Sequence, residues 1–399
     1  MNFKLVKLED IAQISTGGTP SRSNPSYWEN GGIPWVKIRD LKKKFVNETE
    51  EFITEEGLYN SSAKLFPKGT LLYTIFATIG ECAILNIDAT TNQAIAGLIV
   101  NNEKALTEYV YYFLKSIKEK VMYSGRGVAQ NNINLSMLKG IEIPLPNLKI
   151  QKKIVEILNK ASELIEKRKA QIEALDQLTQ SVFLEMFGDP DKNTKQWNVY
   201  KLKEVVDKNC SISYGIVQPG DDVPNGVPIV RPVDIQQGII SVDNLKRTAK
   251  HISDAYSRTI LKGCELLLTV RGTVGASYLV DESFKGVNVT RGITPLLFNE
   301  KIVNPIYIFH LFKTEQYQRK FKSLAKGITL LQINLIDLRE LTLPVPPVTV
   351  QNEFSKFVKK ITIQKKKLQN SLNEMETIFN SLMQRAFKGE LFNELMNTK

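Results

Sequence analysis

Residues 141–158 read IEIPLPNLKIQKKIVEIL, and residues 178–189 close the same stretch with LTQSVFLEMFGD. Residues 341–358 read LTLPVPPVTVQNEFSKFV, and residues 377–390 read TIFNSLMQRAFKGE. Pro144 returns as Pro344, Pro146 as Pro346, Gln151 as Gln351, Ser181 as Ser381 and Phe187 as Phe387, each 200 positions later. Self-similarity at a fixed period is the first sign of a repeat architecture. Here the period is half the chain.

Each copy reads as one long helix behind a proline-rich lead-in. Interior prolines are absent, and Gly188 and Gly389 stand where C-terminal caps belong. At about 40 residues, each helix would span roughly 60 Å. Apolar residues recur at alternating three- and four-residue steps. They are Ile154, Ile157, Leu164, Leu175 and Leu178 in the first copy, and Phe354, Phe357, Ile361, Leu368, Met375, Ile378 and Leu382 in the second. A mean period of 3.5 predicts coiled-coil pairing. Two seams in one chain most simply pack on each other, as an antiparallel pair. The remaining surface is charged, including Lys365, Lys366 and Lys367, and reads either as a solvated face or as a phosphate contact.

The segments in front of the two helices also correspond. KLEDI at 7–11 becomes KLKEV at 201–205, and IPWVKIRDL at 33–41 becomes VPIVRPVDI at 227–235. ATIG at 77–80 becomes GTVG at 272–275, and INL at 133–135 becomes INL at 333–335. The offset drifts from 194 to 200 inside the segment and is then fixed through the helix. Loops absorb length changes, whereas a packed helix cannot without losing register. WVKIRDL, TLLYTIFATIG, AILNI and IAGLIV are strand-like, and 108–120 (EYVYYFLKSIKEK) reads as a helix. The expected fold is α+β: two similar α/β domains in tandem repeat, 1–143 and 191–343, separated by two long helices, 144–190 and 344–399, that pack as an antiparallel coiled coil.

With 399 residues, 42% apolar and 24% charged, the chain has the balance of a globular protein with real cores. No apolar run is long enough to span a membrane, and MNFKLVKLEDIAQ has no apolar core of a secretory signal. Cys82, Cys210 and Cys264 are sparse and odd in number, which fits a reducing cytoplasm. With two histidines, His251 and His310, and no CxxC, no metal site is expected. A net charge of +11 suits either solubility or a polyanionic partner.

Signatures of catalysis are missing. NPSYW at 24–28 is one residue away from the Asn-Pro-Pro-Tyr of amino-methyltransferases, but no glycine-rich cofactor loop accompanies it, so it reads as a loop-closing turn with aromatic packing. There is no P-loop. DPDK at 189–192 lacks the later acid-x-lysine of a nuclease metal site and reads as a linker. A binding role gains by elimination.

GGTPSRSNPSYW, then GGIPWVKIRDL, TLLYTIFATIG and NINLSMLKGIEIPLPNLKIQKKIVEIL, resemble the specificity subunit of type I restriction–modification systems. VPIVRPVDI, LLTVRGTVG and LQINLIDLRELTLPVPPVTVQ supply the companion elements, so the resemblance covers the whole chain. One departure is that the second copy carries SISYGIVQPGDDVPNG in place of a GGTPS-type loop. The resemblance implies two target recognition domains, each reading half of a bipartite double-stranded DNA site. It implies that the long helices set the spacing and bind two methyltransferase subunits, with restriction (motor-nuclease) subunits added. It also implies that this chain has no catalytic residue of its own. S-adenosylmethionine, ATP and Mg would then lie on the partner subunits of a complex that methylates adenine and cuts DNA.

Bases are read best by arginine on guanine and by asparagine or glutamine on adenine. On that ground the DNA-binding candidates of the first domain are Arg22, Lys37, Arg39, Asn92, Gln93, Arg126 and Gln130, with Lys42, Lys43 and Lys44 expected on phosphate. Those of the second are Arg231, Arg271, Arg291, Lys326 and Gln332. Leu158, Ile165 and Ile172 form a second helical stripe, open either to partner subunits or to the recognition domains. The rival functions are a coiled-coil adaptor without a DNA role and a fused DNA methyltransferase or nuclease.

Overall fold

The computed structural model describes residues 3–124, 133–236, 238, 240–327 and 330–391. It forms two compact α+β units, one of residues 1–170 and 369–399, the other of residues 171–368. The repeat read from the sequence is present in both.

The first unit contains β1 (Leu5–Lys7), β2 (Ala12–Thr16), β3 (Ile33–Val36), β4 (Phe45–Val46), β5 (Glu51–Ile53), β6 (Leu71–Thr74), β7 (Cys82–Leu85), β8 (Thr90–Thr91), β9 (Ile95–Val100) and β10 (Glu142–Pro144). A five-stranded sheet has the order β2-β9-β6-β7-β4, and a three-stranded sheet the order β5-β3-β8. β6 is buried along its whole length, which is why Leu71, Leu72 and Tyr73 follow one another without polar alternation. β1 pairs antiparallel with β10 and ties the two ends of the domain together.

The second unit contains β11 (Asn198–Lys201), β12 (Val227–Val230), β13 (Arg247–Thr248), β14 (Leu266–Thr269), β15 (Ser277–Leu279), β16 (Asn288–Val289), β17 (Ile293–Leu296), β18 (Ala325–Lys326), β19 (Gln332–Ile333) and β20 (Thr342–Val345). β11 pairs with β20 as β1 does with β10. β14 lies between β15 and β17 as β6 lies between β7 and β9, and β12 runs parallel to β16 as β3 does to β8. The expected helix at 108–120 is two helices, Thr107–Ser116 and Lys118–Ser124. The break is at Ile117 (φ −101°, ψ 3°), where the Ser116 hydroxyl donates to the Phe113 carbonyl at 2.6 Å.

The central helix spans Leu148–Phe187 and the terminal helix Val348–Phe387, 40 residues each. They end at Gly188 (φ 77°) and just before Gly389 (φ 75°), the left-handed conformation of a C-terminal cap. In the second unit Asp176 pairs with Lys365 at 2.5 Å, and the rings of Phe183 and Phe187 lie 5.4 and 5.3 Å from that of Phe354. Numbers rise along one helix as they fall along the other, so the pair is antiparallel. In the first unit Lys169 meets Glu376 at 3.2 Å, and Phe379 and Phe387 pack on Tyr112 and Tyr109 of the Thr107–Ser116 helix.

The expected seam needs correction by one residue at alternate positions. Leu164, Leu178 and Ile378 are 55%, 44% and 58% exposed. Leu158, Ile165, Thr179, Leu372 and Phe379 are buried instead, while Ile154 and Phe354 hold their expected places. A 154–157–161 frame and a 154–158–161 frame share every other residue. What selects the second is the recognition domain packed on that flank: Tyr112 donates to Asn159 at 2.6 Å, and Phe183 stacks on Tyr307 at 5.7 Å. The stripe of Leu158 and Ile165 therefore serves the core of its own unit, with Ile172 half-buried.

Each long helix is anchored by a fully buried glutamine one turn in. Gln151 accepts the Leu106 N–H at 2.9 Å and donates to the Lys104 and Pro146 carbonyls at 3.1 and 2.8 Å. Tyr109 donates to the Pro144 carbonyl at 2.5 Å, and Tyr307 to that of Pro344 at 2.6 Å. The residues that repeat in the sequence are the ones that fasten helix to domain.

Candidate nucleic-acid interface

In the first unit the glycine- and serine-rich loop after β2 is pinned across the sheet. The Gly18 N–H donates to Thr91 at 2.9 Å, and Trp35 donates its indole N–H to the Gly18 carbonyl at 3.0 Å. The NPSYW stretch is a short turn capped by Asn24, and its Trp28 meets Trp35 edge-on at 5.0 Å. Arg22 lies over Trp28 at 3.6 Å, a cation–π contact. Three candidate cations converge beside it: Arg22 and Lys37 bind Glu51, and Arg39 binds Glu50. Burial raises the Glu51 pKa, but hydrogen bonds from Lys37 and Arg22 outweigh it and hold the carboxyl below its ordinary value. Asn92 caps its own turn by accepting the Ala94 N–H at 3.1 Å, and Gln93 is exposed and accepts from Thr19.

The lysine run divides. Lys42 and Lys43 are exposed and line a cleft of about 400 Å³ with Lys115 and Lys118. Lys44 departs from the expected phosphate contact. Its ammonium is held inside the unit by Glu108 and by Asn159 at 2.5 Å. Burial lowers its pKa, and Glu108 partly offsets that. Arg126 and Gln130 lie outside the described residues.

In the second unit the candidates gather at one end of the β15-β14-β17 sheet. Arg271 follows β14 and Arg291 precedes β17, and the Val270 N–H donates to Gly292 at 2.8 Å between them. Arg271 also bridges Gln332 through the backbone, and Gln332 donates to the Tyr214 hydroxyl at 3.1 Å. Arg231 leaves β12 beside them, where Thr290 N–H reaches the Val230 carbonyl at 3.0 Å. Its guanidinium binds Asp234 through two nitrogens, at 3.1 and 2.8 Å. Lys326, across the β18–β19 ladder from Gln332, is exposed and pairs with Asp337 at 3.2 Å.

The two clusters occupy the same topological positions. Ladder register sets Thr74 against Ile95 and Thr269 against Ile293, so Phe76 corresponds to Arg271 and Gln93 to Arg291. Lys37 and Arg231 both turn on an aspartate three residues later, Asp40 and Asp234, which accepts the backbone N–H at 2.7 Å in each case. Even the departing loop keeps one element. A Cβ on Gly17 would meet the Thr91 carbonyl at 2.3 Å, and one on Gly215 the Val289 carbonyl at 2.1 Å. Only glycine fits so close to a neighbouring strand. Phe76, Glu51, Tyr214 and Asp234 were not among the expected residues. The repeated Asp three residues past Lys37 and Arg231, and the alignment of ATIG with GTVG, were signals that could have pointed to two of them.

The chain matches the type I restriction modification DNA specificity domain over residues 1–174 and again over 194–376. It is 23% identical to the type I restriction enzyme EcoBI specificity subunit of Escherichia coli, over 97% of this chain and 85% of that one. It is 27% identical to the MjaIX specificity subunit of Methanocaldococcus jannaschii, over 98% and 94%. Its fold is similar to a chain from a type I R-M system, with a TM-score of 0.59 at 17% identity over 98% of both. It is also similar to the S subunit from M. genitalium, at 0.51 and 16% over 97% and 96%.

Proposed function

The chain belongs to the type I restriction–modification DNA specificity family, and from that premise we propose that it reads a bipartite DNA target, one half with each recognition domain. Residues 1–143 and 191–343 are the recognition domains in this reading. The stretches 144–190 and 344–399, which contain the two long helices, set the unread spacing and dock two methyltransferase subunits, to which restriction subunits add. The chain itself is non-catalytic; S-adenosylmethionine, ATP and Mg belong to its partners. The observation that carries the reading is the pair of polar strand-end clusters at equivalent positions of two repeated domains. Among the described residues no helix is long and apolar enough to cross a membrane.

The test is methylome sequencing of cells carrying the modification subunit with and without this chain. A two-part adenine-methylated motif should appear only with it. Methyl transfer by the purified chain alone would make it a fused methyltransferase. A complex whose DNA affinity is absent at low salt as well as high would make it an adaptor.

A further inference from the structure

We propose that the half-site read by the second domain contains guanine, contacted by Arg271 and Arg291. The proposal rests on the reading of the chain as a DNA-specificity subunit and adds the identity of a base.

Arg271 and Arg291 leave the same end of the β14–β17 ladder, one residue beyond the Val270–Gly292 hydrogen bond. Both are half-buried. The Nε of Arg271 is buried with no hydrogen-bond partner, and no carboxylate among the described residues forms an ion pair with either side chain. The other candidate cations make the contrast. Arg231 has Asp234, Lys326 has Asp337, and Arg22 and Arg39 of the first unit have Glu51 and Glu50. A buried N–H such as that of the Arg271 Nε is costly when it has no acceptor. Such an arrangement is complete only when a ligand brings paired acceptors.

Guanine presents N7 and O6 together in the major groove, spaced for the fork of an arginine. Phosphate would also accept from arginine. However, positioning contacts of that kind need only exposed surface cations, whereas Arg271 and Arg291 are half-buried. The backbones of Arg271 and Arg291 are held at the end of the β14–β17 ladder next to Gly272 and Gly292, and Gln332, which donates to the Tyr214 hydroxyl, pairs with the backbone of Arg271. The first unit makes the contrast. Phe76 and Gln93 stand at the same positions, an apolar ring and an amide that suit a thymine methyl and adenine, not guanine.

The experiment uses the full chain assembled with its methyltransferase subunits, methylating genomic DNA that is then sequenced for modified adenine. The native complex should give a motif with a G·C pair in one half-site. Arg271→Ala and Arg291→Ala should each relax discrimination at a G·C position of that same half by about tenfold or more, leaving the other half intact. Arg291→Gln should admit adenine there. New methylated sites are a gain that a misfolded variant cannot produce. A half-site without guanine, or a uniform loss of methylation on every sequence, overturns the inference. A native bipartite motif unchanged in all three variants overturns it while leaving the specificity reading intact. If the native complex methylates no bipartite motif, both fall.

Discussion

Gln351 shows how much a single repeated residue holds. It accepts the Asn304 N–H at 2.7 Å and donates to the Ile302 and Pro346 carbonyls at 3.1 and 2.7 Å, all from a fully buried position. Gln351→Leu keeps the bulk and strands three backbone groups, each worth about 1–3 kcal/mol when unsatisfied. Expected is a loss of about 3 kcal/mol or more in the urea transition of the second unit; a change under about 1 kcal/mol would show that water replaces the amide. His310 has a different role. It sits edge-on to Phe309 and Phe354, and burial, with Lys313 and Lys365 nearby, lowers its pKa from 6.5 to about 4 against the weaker pull of Asp176. A histidine with a depressed folded pKa is kept neutral by the fold. Its contribution is therefore complete above pH 6.5 and is lost as pH falls through 4, on the order of 3 kcal/mol in all. Unfolding series between pH 7.5 and 4 should show a shallower acid loss in His310→Gln than in the native chain; equal slopes would place the acid sensitivity elsewhere.

At the level of the element, the helical seam separates what periodicity tells from what only packing tells. Leu158 is fully buried while Leu164 is 55% exposed. Leu158→Ala should cost about 2–5 kcal/mol, and Leu164→Ala no more than about 0.5 kcal/mol. Equal losses in thermal unfolding of the two variants would restore the frame expected from the sequence. The repeat, the helix lengths and the capping glycines were legible because each is a local pattern occurring twice. The choice between Ile157 and Leu158 was not, because both frames are apolar and the tyrosine that decides between them, Tyr112, lies 46 residues away in sequence. The same limit hid Glu51, which gathers Arg22 and Lys37 from two separate loops, and the inward turn of Lys44 toward Asn159. Exposed cations were recognisable by type, but which of them already had a partner was a property of the fold.

For the whole molecule, the proposed function makes helix length a determinant of target spacing. The two helices pair antiparallel within each unit, so lengthening one alone would shift its contacts against the other. One heptad added to both preserves the 3.5-residue seam. It adds roughly 10 Å of helix, which corresponds to about three base pairs at roughly 3.4 Å each. The altered chain, assembled with its methyltransferase subunits, should methylate a motif whose two half-sites are unchanged and whose unread spacer is about three base pairs longer. Unchanged half-sites are essential to the result, because they show that both recognition domains still fold and read. A motif with native spacing would mean that something other than the helices sets the distance. Changed half-sites at native spacing would mean that the helices shape the reading surfaces themselves.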